Sequence, residues 1–308
     1  MSETPGPIRL ILPATSANLG SAFDAAGLAM GLTLTIEARV NSAVGAAELS
    51  IDATGRDAER CSRTRNNLIF ETYRQVLCRA GREVMPLEIR LHNEIPLGMG
   101  CGSSAAALLA GVMLANHFGR LGWSLHQCME DACRREGHPD NVAACALGYM
   151  TVSASTESGV AAVTCGEGID WKLLLALPAG SLATERARAL LPREYSRADT
   201  VYNIQRSALL VGAFAGKRGD LLRIAMQDRI HQPYRYEVCP LLPMLLPLAG
   251  ADGIFGVALS GAGPGVLLVV DSEAVVEAVV ERIRRAVDDP ALEVLETLIA
   301  AGVVEAAM

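Results

Sequence analysis

The order of apolar and polar residues along the chain follows two different periods. Alternation at every second position and short apolar runs predict strands, whereas apolar residues three and four positions apart predict helices. The predicted strands cover residues 8–12, 32–40, 87–91, 171–177, 254–259 and 266–270. The predicted helices cover residues 67–80, 105–116, 125–136, 202–215, 221–226 and 274–287. Because strands and helices mix without strict alternation, we predict an α+β fold rather than a doubly wound sheet.

The length of the chain, 308 residues, is enough for two domains. A stretch with two glycines and an aspartate at residues 166–170 precedes the strand predicted at 171–177, and we place the domain boundary there. The predicted domains are residues 1–167 and 168–308. Hydrophobic residues make up 51% of the chain, so each half can bury a core of its own.

Charge and cysteine content exclude several classes of protein. The net charge is −7 and the arginines are scattered, so the chain lacks the basic patch of nucleic-acid binding. No apolar run reaches the roughly 18 residues of a membrane span, and residues 1–7 lack the pattern of a signal peptide. The eight cysteines form no CxxC pair, which argues against zinc and favours free thiols in a reducing compartment. We therefore expect a soluble, cytoplasmic protein.

A glycine-rich segment lies between the strand predicted at residues 87–91 and the helix predicted at 105–116. It consists of Pro96, Leu97, Gly98, Met99, Gly100, Cys101, Gly102, Ser103 and Ser104. Glycines let backbone N–H groups approach an anion, and the start of a helix favours negative charge. The segment lacks the closing lysine of a P-loop and the glycine spacing of a dinucleotide-binding fingerprint. On its own it fits either a phosphate-binding loop or a tight turn before a packed helix.

Four further segments change this picture. Together with the glycine-rich segment they resemble, in order, the motifs of the GHMP kinase superfamily, which includes galactokinase, mevalonate kinase and homoserine kinase. The glycine-rich segment resembles the second motif, residues 13–24 the first motif in its homoserine kinase form, and residues 259–264 the third. Residues 136–141 and 228–235 are similar to segments of homoserine kinases in particular. The chain is thus identified by resemblance as a member of the homoserine kinase family.

The resemblance implies a fold and an activity. The N-terminal domain should resemble the second domain of ribosomal protein S5, the C-terminal domain should be ferredoxin-like, and the active site should lie between them. The implied activity is ATP-dependent phosphorylation of the side-chain hydroxyl of L-homoserine to O-phospho-L-homoserine, in threonine biosynthesis. The implied cofactors are ATP and Mg2+, and many relatives are homodimers. Two alternatives stay open: another GHMP kinase that acts on a mevalonate-type alcohol, and a non-catalytic nucleotide-binding relative.

The resemblance also assigns residues to ATP and magnesium. It implies that ATP is bound by Asn67 and by the glycine-rich segment, residues 96–104. It implies that magnesium is held by Glu130 with Ser103 or Ser104, whose oxygens suit this ion. Two of these residues have an alternative role. Asn67 could instead cap a helix. Glu130 could be an exposed helix residue that pairs with Arg134 four positions on.

For the substrate, the resemblance implies one group of residues for binding and one for catalysis. An ammonium group needs acceptors and a carboxylate needs arginines, which offer a planar fork of donors. The implied substrate-binding residues are Asn18, Asp24, Arg188, Arg235 and Gly261. The implied catalytic residues, around the acceptor hydroxyl, are His138, Asp140 and Asn141. Arg186 is an alternative to Arg188, either arginine could be a surface charge, and His138 could belong to a turn after a helix. Whether a general base operates stays open.

Overall fold

The structure is a computed structural model that describes residues 5–43 and 47–308. We expect no signal peptide in residues 1–7. Residues 1–4 of this segment lie outside the described residues. The strands are β1 (Ile8–Ala17), β2 (Ala26–Val40), β3 (Leu49–Gly55), β4 (Leu87–Asn93), β5 (Met150–Thr156), β6 (Gly159–Cys165), β7 (Lys172–Leu177), β8 (Ile254–Leu259), β9 (Val266–Val270), β10 (Glu293–Leu298) and β11 (Val304–Ala307).

The helices lie between these strands. They are α1 (Ala58–Cys61), α2 (Leu68–Arg79), α3 (Ser103–Gly119), α4 (Leu125–Glu136), α5 (Asp140–Leu147), α6 (Thr184–Ala189), α7 (Arg197–Ala215), α8 (Leu222–Ala225), α9 (Leu241–Leu245) and α10 (Val276–Ala286). Short 3-10 turns occupy Gly219–Leu221, Pro233–Arg235 and Leu246–Leu248. Within the described ranges, no helix combines the length and apolar character that a membrane span requires.

The first domain is built on a seven-stranded sheet with a bundle of helices against it. The sheet order is β11-β1-β2-β4-β3, while β5 pairs with the start of β2 and β6 pairs with β5. Helix α3 is apolar around most of its circumference, and it is buried between β1, α2, α4 and α5. Its burial fixes the position of the loop that leads into it.

The second domain is built on a four-stranded antiparallel sheet in the order β10-β7-β9-β8. Along the chain, α7 separates β7 from β8, and α10 separates β9 from β10. This is the split βαβ arrangement of ferredoxin-like folds. Strand β9 is buried at every position, because it lies between two neighbours inside the sheet. The α+β prediction, with a ferredoxin-like second domain, is confirmed.

The chain passes from the first sheet to the second between β6 and β7, and it returns after β10. Strand β11 pairs antiparallel with β1, with Ile8 opposite Ala307. The segment before β11 also packs against the first domain, since the Val303 N–H donates to the Cys145 carbonyl at 2.9 Å. The division into residues 1–167 and 168–308 stays a prediction, and the last strand lies in the first sheet.

Candidate active site

The glycine-rich segment forms the loop between β4 and α3. Gly98, Gly100 and Gly102 have left-handed backbones, with φ of 74°, 78° and 71°. A Cβ atom at Gly100 would overlap the carbonyl oxygen of Ser260, and one at Gly102 would overlap the hydroxyl of Thr15. The glycines therefore allow three motifs to pack closely, and they adopt a conformation that other residues avoid.

Helix α3 begins directly after this loop. Its N-cap is Gly102, which has no side chain to cap the first N–H groups of the helix. Unpaired N–H groups and the partial positive charge at a helix N-terminus attract anions. The loop and the helix together thus fit the phosphates of a nucleotide.

Two pockets meet at the start of α3. The inner pocket has a volume of about 210 Å3 and contains residues of both domains. The outer pocket has a volume of about 470 Å3 and lies beside the start of α2 and the end of β4. Gly98, Ser103 and Ser104 line both pockets, so a molecule in one can reach a molecule in the other. A wider groove of about 890 Å3 along α10 contains none of the motif residues, and size alone therefore does not identify the site.

The inner pocket brings together most of the residues expected from the sequence. Those that line it are Asn18, Gly98, Gly100, Cys101, Gly102, Ser103, Ser104, His138, Asp140, Asn141, Arg188, Arg235 and Gly261. Cys101 contributes to the wall of the pocket. Burial raises the pKa of its thiol to about 12, so the thiol stays protonated.

The outer pocket contains Asn67 and Leu97. Asn67 is the N-cap of α2, since its Oδ1 accepts from the Phe70 N–H at 3.2 Å. Helix capping and ATP binding are therefore compatible roles for Asn67, because a capping residue can also line a pocket. Pro96 is buried. The Met99 carbonyl accepts from the Gly265 N–H at 3.2 Å, so Met99 joins the loop to the second domain.

Glu136, the last residue of α4, lies in the inner pocket beside the start of α3. The Ser104 hydroxyl donates to its Oε2 at 3.0 Å. Burial raises the pKa of the Glu136 carboxyl, and the nearby His138 opposes this effect. A carboxylate and a serine hydroxyl at the phosphate end of a nucleotide site are the hard oxygen donors that magnesium prefers.

Glu130, the carboxylate expected at the metal, lies elsewhere. Its Oε1 accepts from the Val160 N–H at 3.1 Å and lies 3.4 Å from His126 Nε2. Six residues along a helix are about one and two-thirds turns, so Glu130 and Glu136 point in different directions. The alternative pair with Arg134 is also absent, because Arg134 donates to Asp131 at 2.8 Å. The structure thus replaces Glu130 with Glu136 as the carboxylate near the serines.

Asp24 pairs with Arg188 at the edge of the inner pocket; of the two, Arg188 lines the pocket and Asp24 does not. Arg188 Nη1 and Nη2 donate to the two Asp24 carboxylate oxygens at 2.9 and 2.5 Å. Of the two candidate arginines, Arg188 lines the inner pocket, whereas Arg186 is exposed. Asn18 supports this side of the pocket, because its Oδ1 accepts from the Asp24 N–H and its Nδ2 donates to the Gly261 carbonyl, both at 2.9 Å.

Arg235 is one of the largest fully buried side chains, with 1% exposure. Its Nε donates to the Ala187 carbonyl at 3.2 Å, and its Nη1 lies 2.9 Å from His231 Nδ1 and 3.5 Å from the Gly261 carbonyl. Burial lowers the pKa of the Arg235 guanidinium, and the nearby Arg188 acts in the same direction. An arginine stays charged nonetheless, so the pocket contains a buried cation held by neutral acceptors.

His138, Asp140 and Asn141 lie where α4 ends and α5 begins. Burial alone would lower the pKa of His138, but the hydrogen bond to Asp140, 2.6 Å long, and the charge of Asp140 raise it overall. The same Asp140 oxygen accepts from the Asn141 N–H at 2.7 Å. The Thr15 hydroxyl donates to Asn141 Oδ1 at 2.8 Å. Asn141 Nδ2 donates to Asp140 Oδ1 at 3.4 Å, and its second hydrogen can serve a ligand.

Among the residues of the site that were missed in the sequence are Glu136, His231, Thr15 and Phe23. Each lies inside a segment that resembles a family motif, so the motif marked the region. Only the contacts in the folded chain distinguish these residues from their neighbours, because the hydrogen bonds of Thr15 and His231 reach residues 126 and 211 positions away.

Comparison with known proteins gives the family. Residues 67–149 match the GHMP kinases N terminal domain, and residues 209–289 match the GHMP kinases C terminal domain. Homoserine kinase of Solibacter usitatus is 45% identical over 269 residues, which cover 87% of this chain and 86% of that protein. Homoserine kinase of Synechocystis sp. is 38% identical over 266 residues, which cover 84% and 85%.

Solved structures show the same fold. The crystal structure of homoserine kinase from Cytophaga hutchinsonii superimposes with a TM-score of 0.82 at 22% identity and covers 99% of both chains. Mevalonate kinase of L. major, in complex with R-mevalonate, has a TM-score of 0.71 at 14% identity and covers 98% of this chain and 96% of that one. With the motifs, the two domain matches and the extent of the sequence identity, the chain belongs to the homoserine kinase family of GHMP kinases.

Proposed function

We propose that this chain transfers the γ-phosphoryl group of ATP to the side-chain hydroxyl of L-homoserine, forming O-phospho-L-homoserine and ADP. The observation that carries the proposal is Arg235, a buried cation in the inner pocket. Among residues 5–43 and 47–308, its hydrogen-bond partners are neutral acceptors. Asp24 and Asp228 act on Arg235 through their charges, but among the described residues neither carboxylate hydrogen-bonds to it. An anionic ligand that bonds Arg235 directly would therefore stabilise a buried guanidinium that is otherwise held by neutral acceptors. The carboxylate of an amino acid is such a group.

The remaining charges of the inner pocket fit the same substrate. Arg188 offers a second guanidinium to the carboxylate, while Asp24 and the Asn18 amide oxygen offer acceptors to the ammonium group. Both guanidiniums lie within 6 Å of the Phe23 ring, at 5.4 and 5.7 Å from its centroid, so the ring helps to position them. A mevalonate-type alcohol lacks the ammonium group and leaves Asp24 without its ligand.

ATP fits the outer pocket and the glycine loop. The nucleoside occupies the outer pocket beside Asn67 and Leu97, and the phosphates follow the loop to the start of α3. Glu136 with Ser104 or Ser103 holds the magnesium ion that accompanies ATP. Bound magnesium supplies positive charge to the phosphates during transfer.

The acceptor hydroxyl lies between Asn141 and the phosphates. The Thr15 hydroxyl fixes the Asn141 amide, so the amide nitrogen can orient the substrate oxygen. Asp140 is 1% exposed and already accepts from Asn141 and His138, so its role is to hold the turn. Positioning and charge neutralisation are the main requirements of phosphoryl transfer.

The test is to incubate the protein with ATP and Mg2+ and to follow ADP with homoserine, mevalonate and 3-amino-1-propanol as acceptors. We expect ADP and O-phospho-L-homoserine, identified by mass spectrometry, with homoserine as the best acceptor and no turnover after chelation of magnesium. ADP formation with mevalonate but not with homoserine would contradict the substrate. Nucleotide binding without turnover of any acceptor would indicate a non-catalytic relative.

A second test examines the two arginines. Arg188→Lys and Arg235→Lys keep the charge but lose the fork of donors. Because a hydrogen bond to a charged group contributes about 1.5–3 kcal/mol, kcat/KM for homoserine should fall about ten- to a hundredfold. The preference for homoserine over 3-amino-1-propanol, which lacks the carboxylate, should fall as well. The matched control is Arg186→Lys, which should leave both quantities unchanged because Arg186 is exposed.

We further propose that the protein works in the cytoplasm as a homodimer. All eight cysteines are free thiols, which suits a reducing compartment. Light scattering during size-exclusion chromatography tests whether the protein is a homodimer, since the chain has a mass of 32.5 kDa and a dimer has twice that mass.

A further inference from the structure

His231 lies in the interior between the first motif and Arg235. Its side chain has 0% exposure. Nε2 lies 2.7 Å from the Gly20 carbonyl, and Nδ1 lies 2.9 Å from Arg235 Nη1. The ring stacks on Phe23, with 5.1 Å between ring centroids and 26° between the planes. His231 thus contacts both the loop that contains Asp24 and the buried guanidinium.

The two partners determine which nitrogen of His231 carries the proton. A carbonyl oxygen only accepts hydrogen bonds, so Nε2 must donate to Gly20. A guanidinium only donates, so Nδ1 must be the unprotonated acceptor for Arg235. His231 is therefore neutral in this arrangement.

We propose that His231 is a positioning residue that orients the Arg235 guanidinium toward the substrate carboxylate without neutralising its charge. This inference rests on the proposed function, in which Arg235 binds that carboxylate. An acidic residue at position 231 could also hold Arg235, but it would pair with the guanidinium and remove the charge that the substrate needs. A neutral imidazole supplies the acceptor alone.

The surrounding charges are consistent with a neutral ring. The groups that face His231 are Arg235, Asp24 and Asp228, whose Oδ2 lies 3.6 Å from Nε2. The Asp228 carboxylate is already engaged, because it accepts from the N–H groups of residues 230, 231 and 232 and from Asn203 Nδ2. Burial lowers the pKa of His231, and Asp228 only partly opposes this.

Three substitutions separate the parts of this proposal. His231→Asn places a neutral acceptor at the position of Nδ1. His231→Phe keeps a ring beside Phe23 but removes the acceptor. His231→Asp has the shape of the asparagine variant but adds the charge that would neutralise Arg235. The measured quantity is the ratio of kcat/KM for homoserine to kcat/KM for 3-amino-1-propanol, together with the KM for ATP.

We expect the ratio in His231→Asn to stay within about threefold of the wild type. In His231→Phe and His231→Asp it should fall at least about tenfold, which is about 1.4 kcal/mol, while kcat/KM for 3-amino-1-propanol and the KM for ATP change little. The proposal is overturned if His231→Phe or His231→Asp keeps the wild-type ratio. It is also overturned if all variants lose activity with both acceptors equally, because that is the result of a purely structural role.

Thermal melting of each variant shows whether it folds. If His231→Phe does not, His231→Gln replaces it, since this side chain can reach Gly20 but offers no acceptor at the Nδ1 position. Failure of the proposed function gives a different result: the wild type would not prefer homoserine over 3-amino-1-propanol, or Arg235→Lys would keep that preference.

Discussion

Arg188 and Asp24 bind each other at the edge of the inner pocket through two hydrogen bonds, of 2.9 and 2.5 Å. In the proposed complex the same two side chains bind opposite charges of one substrate. A zwitterionic amino acid can therefore take over both bonds, with its carboxylate at Arg188 and its ammonium at Asp24. No new charge has to be buried without a partner when this exchange occurs.

Asp24→Asn tests the ammonium side of this exchange. The variant keeps the shape of the side chain but loses the charge, so kcat/KM for homoserine should fall about ten- to a hundredfold. The preference for homoserine over 4-hydroxybutyrate, which lacks the ammonium, should fall by a similar factor in steady-state assays. The preference over 3-amino-1-propanol should persist, because in the proposed complex Arg235 still binds the carboxylate. Equal loss of both preferences would place Asp24 outside the ammonium site.

Glu136→Gln and Glu130→Gln form a matched pair on one helix. Glu136 accepts from Ser104 in the inner pocket, whereas Glu130 contacts Val160 and His126 outside it. We expect Glu136→Gln to lower kcat at least about a hundredfold and to raise the magnesium concentration at half-maximal rate. Glu130→Gln should keep nearly full turnover at all magnesium concentrations. The opposite result would restore Glu130 as the metal carboxylate.

Gly100→Ala and Gly122→Ala separate backbone strain from packing. Both glycines have positive φ, of 78° and 70°, so an alanine at either position is strained by roughly 1–2 kcal/mol. A Cβ at Gly122 meets no atom within 4 Å, but one at Gly100 overlaps the Ser260 carbonyl. Urea unfolding should show about 1–3 kcal/mol of additional destabilisation in Gly100→Ala. Calorimetry should show weaker ATP binding in that variant alone, because the displaced loop is the proposed phosphate-binding loop.

Asp131→Asn should make stability less dependent on acid pH. The Asp131 side chain is 1% exposed and accepts from Arg79, Arg134 and Arg135. Burial acts to raise the pKa of Asp131, but the three guanidiniums outweigh it and lower the pKa. Because the folded-state pKa lies below the unfolded one, this stabilisation is present above about pH 4 and is lost as pH falls through the lowered value.

Urea unfolding at several pH values measures this effect. At pH 7 the variant should be about 1.5–3 kcal/mol less stable than the wild type, and the difference should shrink below about pH 4. Asp220→Asn is the control, because its pair with Arg218 is exposed and contributes little. A difference for Asp131→Asn that stays constant from pH 7 to pH 3 would contradict the assignment.

The sequence predicts best where the chain is buried on both sides. Strands β8 and β9 begin and end at the predicted residues, because each is an apolar run next to glycines. Strand β1 is longer than predicted. Its last residues include Thr15 and Ser16, which read as a turn but are buried because Asn141 and Ser260 pair with their hydroxyls. Such partners lie far away in the chain and leave no local pattern.

Other elements lack a pattern altogether. Strands β5 and β6 are rich in small and polar residues, and β11 is exposed at all four positions, so alternation does not mark them. The same limit applies to the site. Family motifs identify the segments that build the inner pocket. They do not show that Glu136 lies in the pocket and Glu130 outside it, because the direction of each side chain along α4 follows from tertiary packing.

The return of β11 to the first sheet has a mechanical consequence. The chain crosses between the domains at residues 166–171 and again at residues 299–303, where Ala300 exchanges hydrogen bonds with Ala29 and Tyr149. Because the chain is tied to the first sheet before β7 and again after β10, the second domain is held at both ends of its sequence and cannot swing away on a single flexible connection. The turn after β8 is thereby kept against the glycine loop, where the Gly265 N–H donates to the Met99 carbonyl.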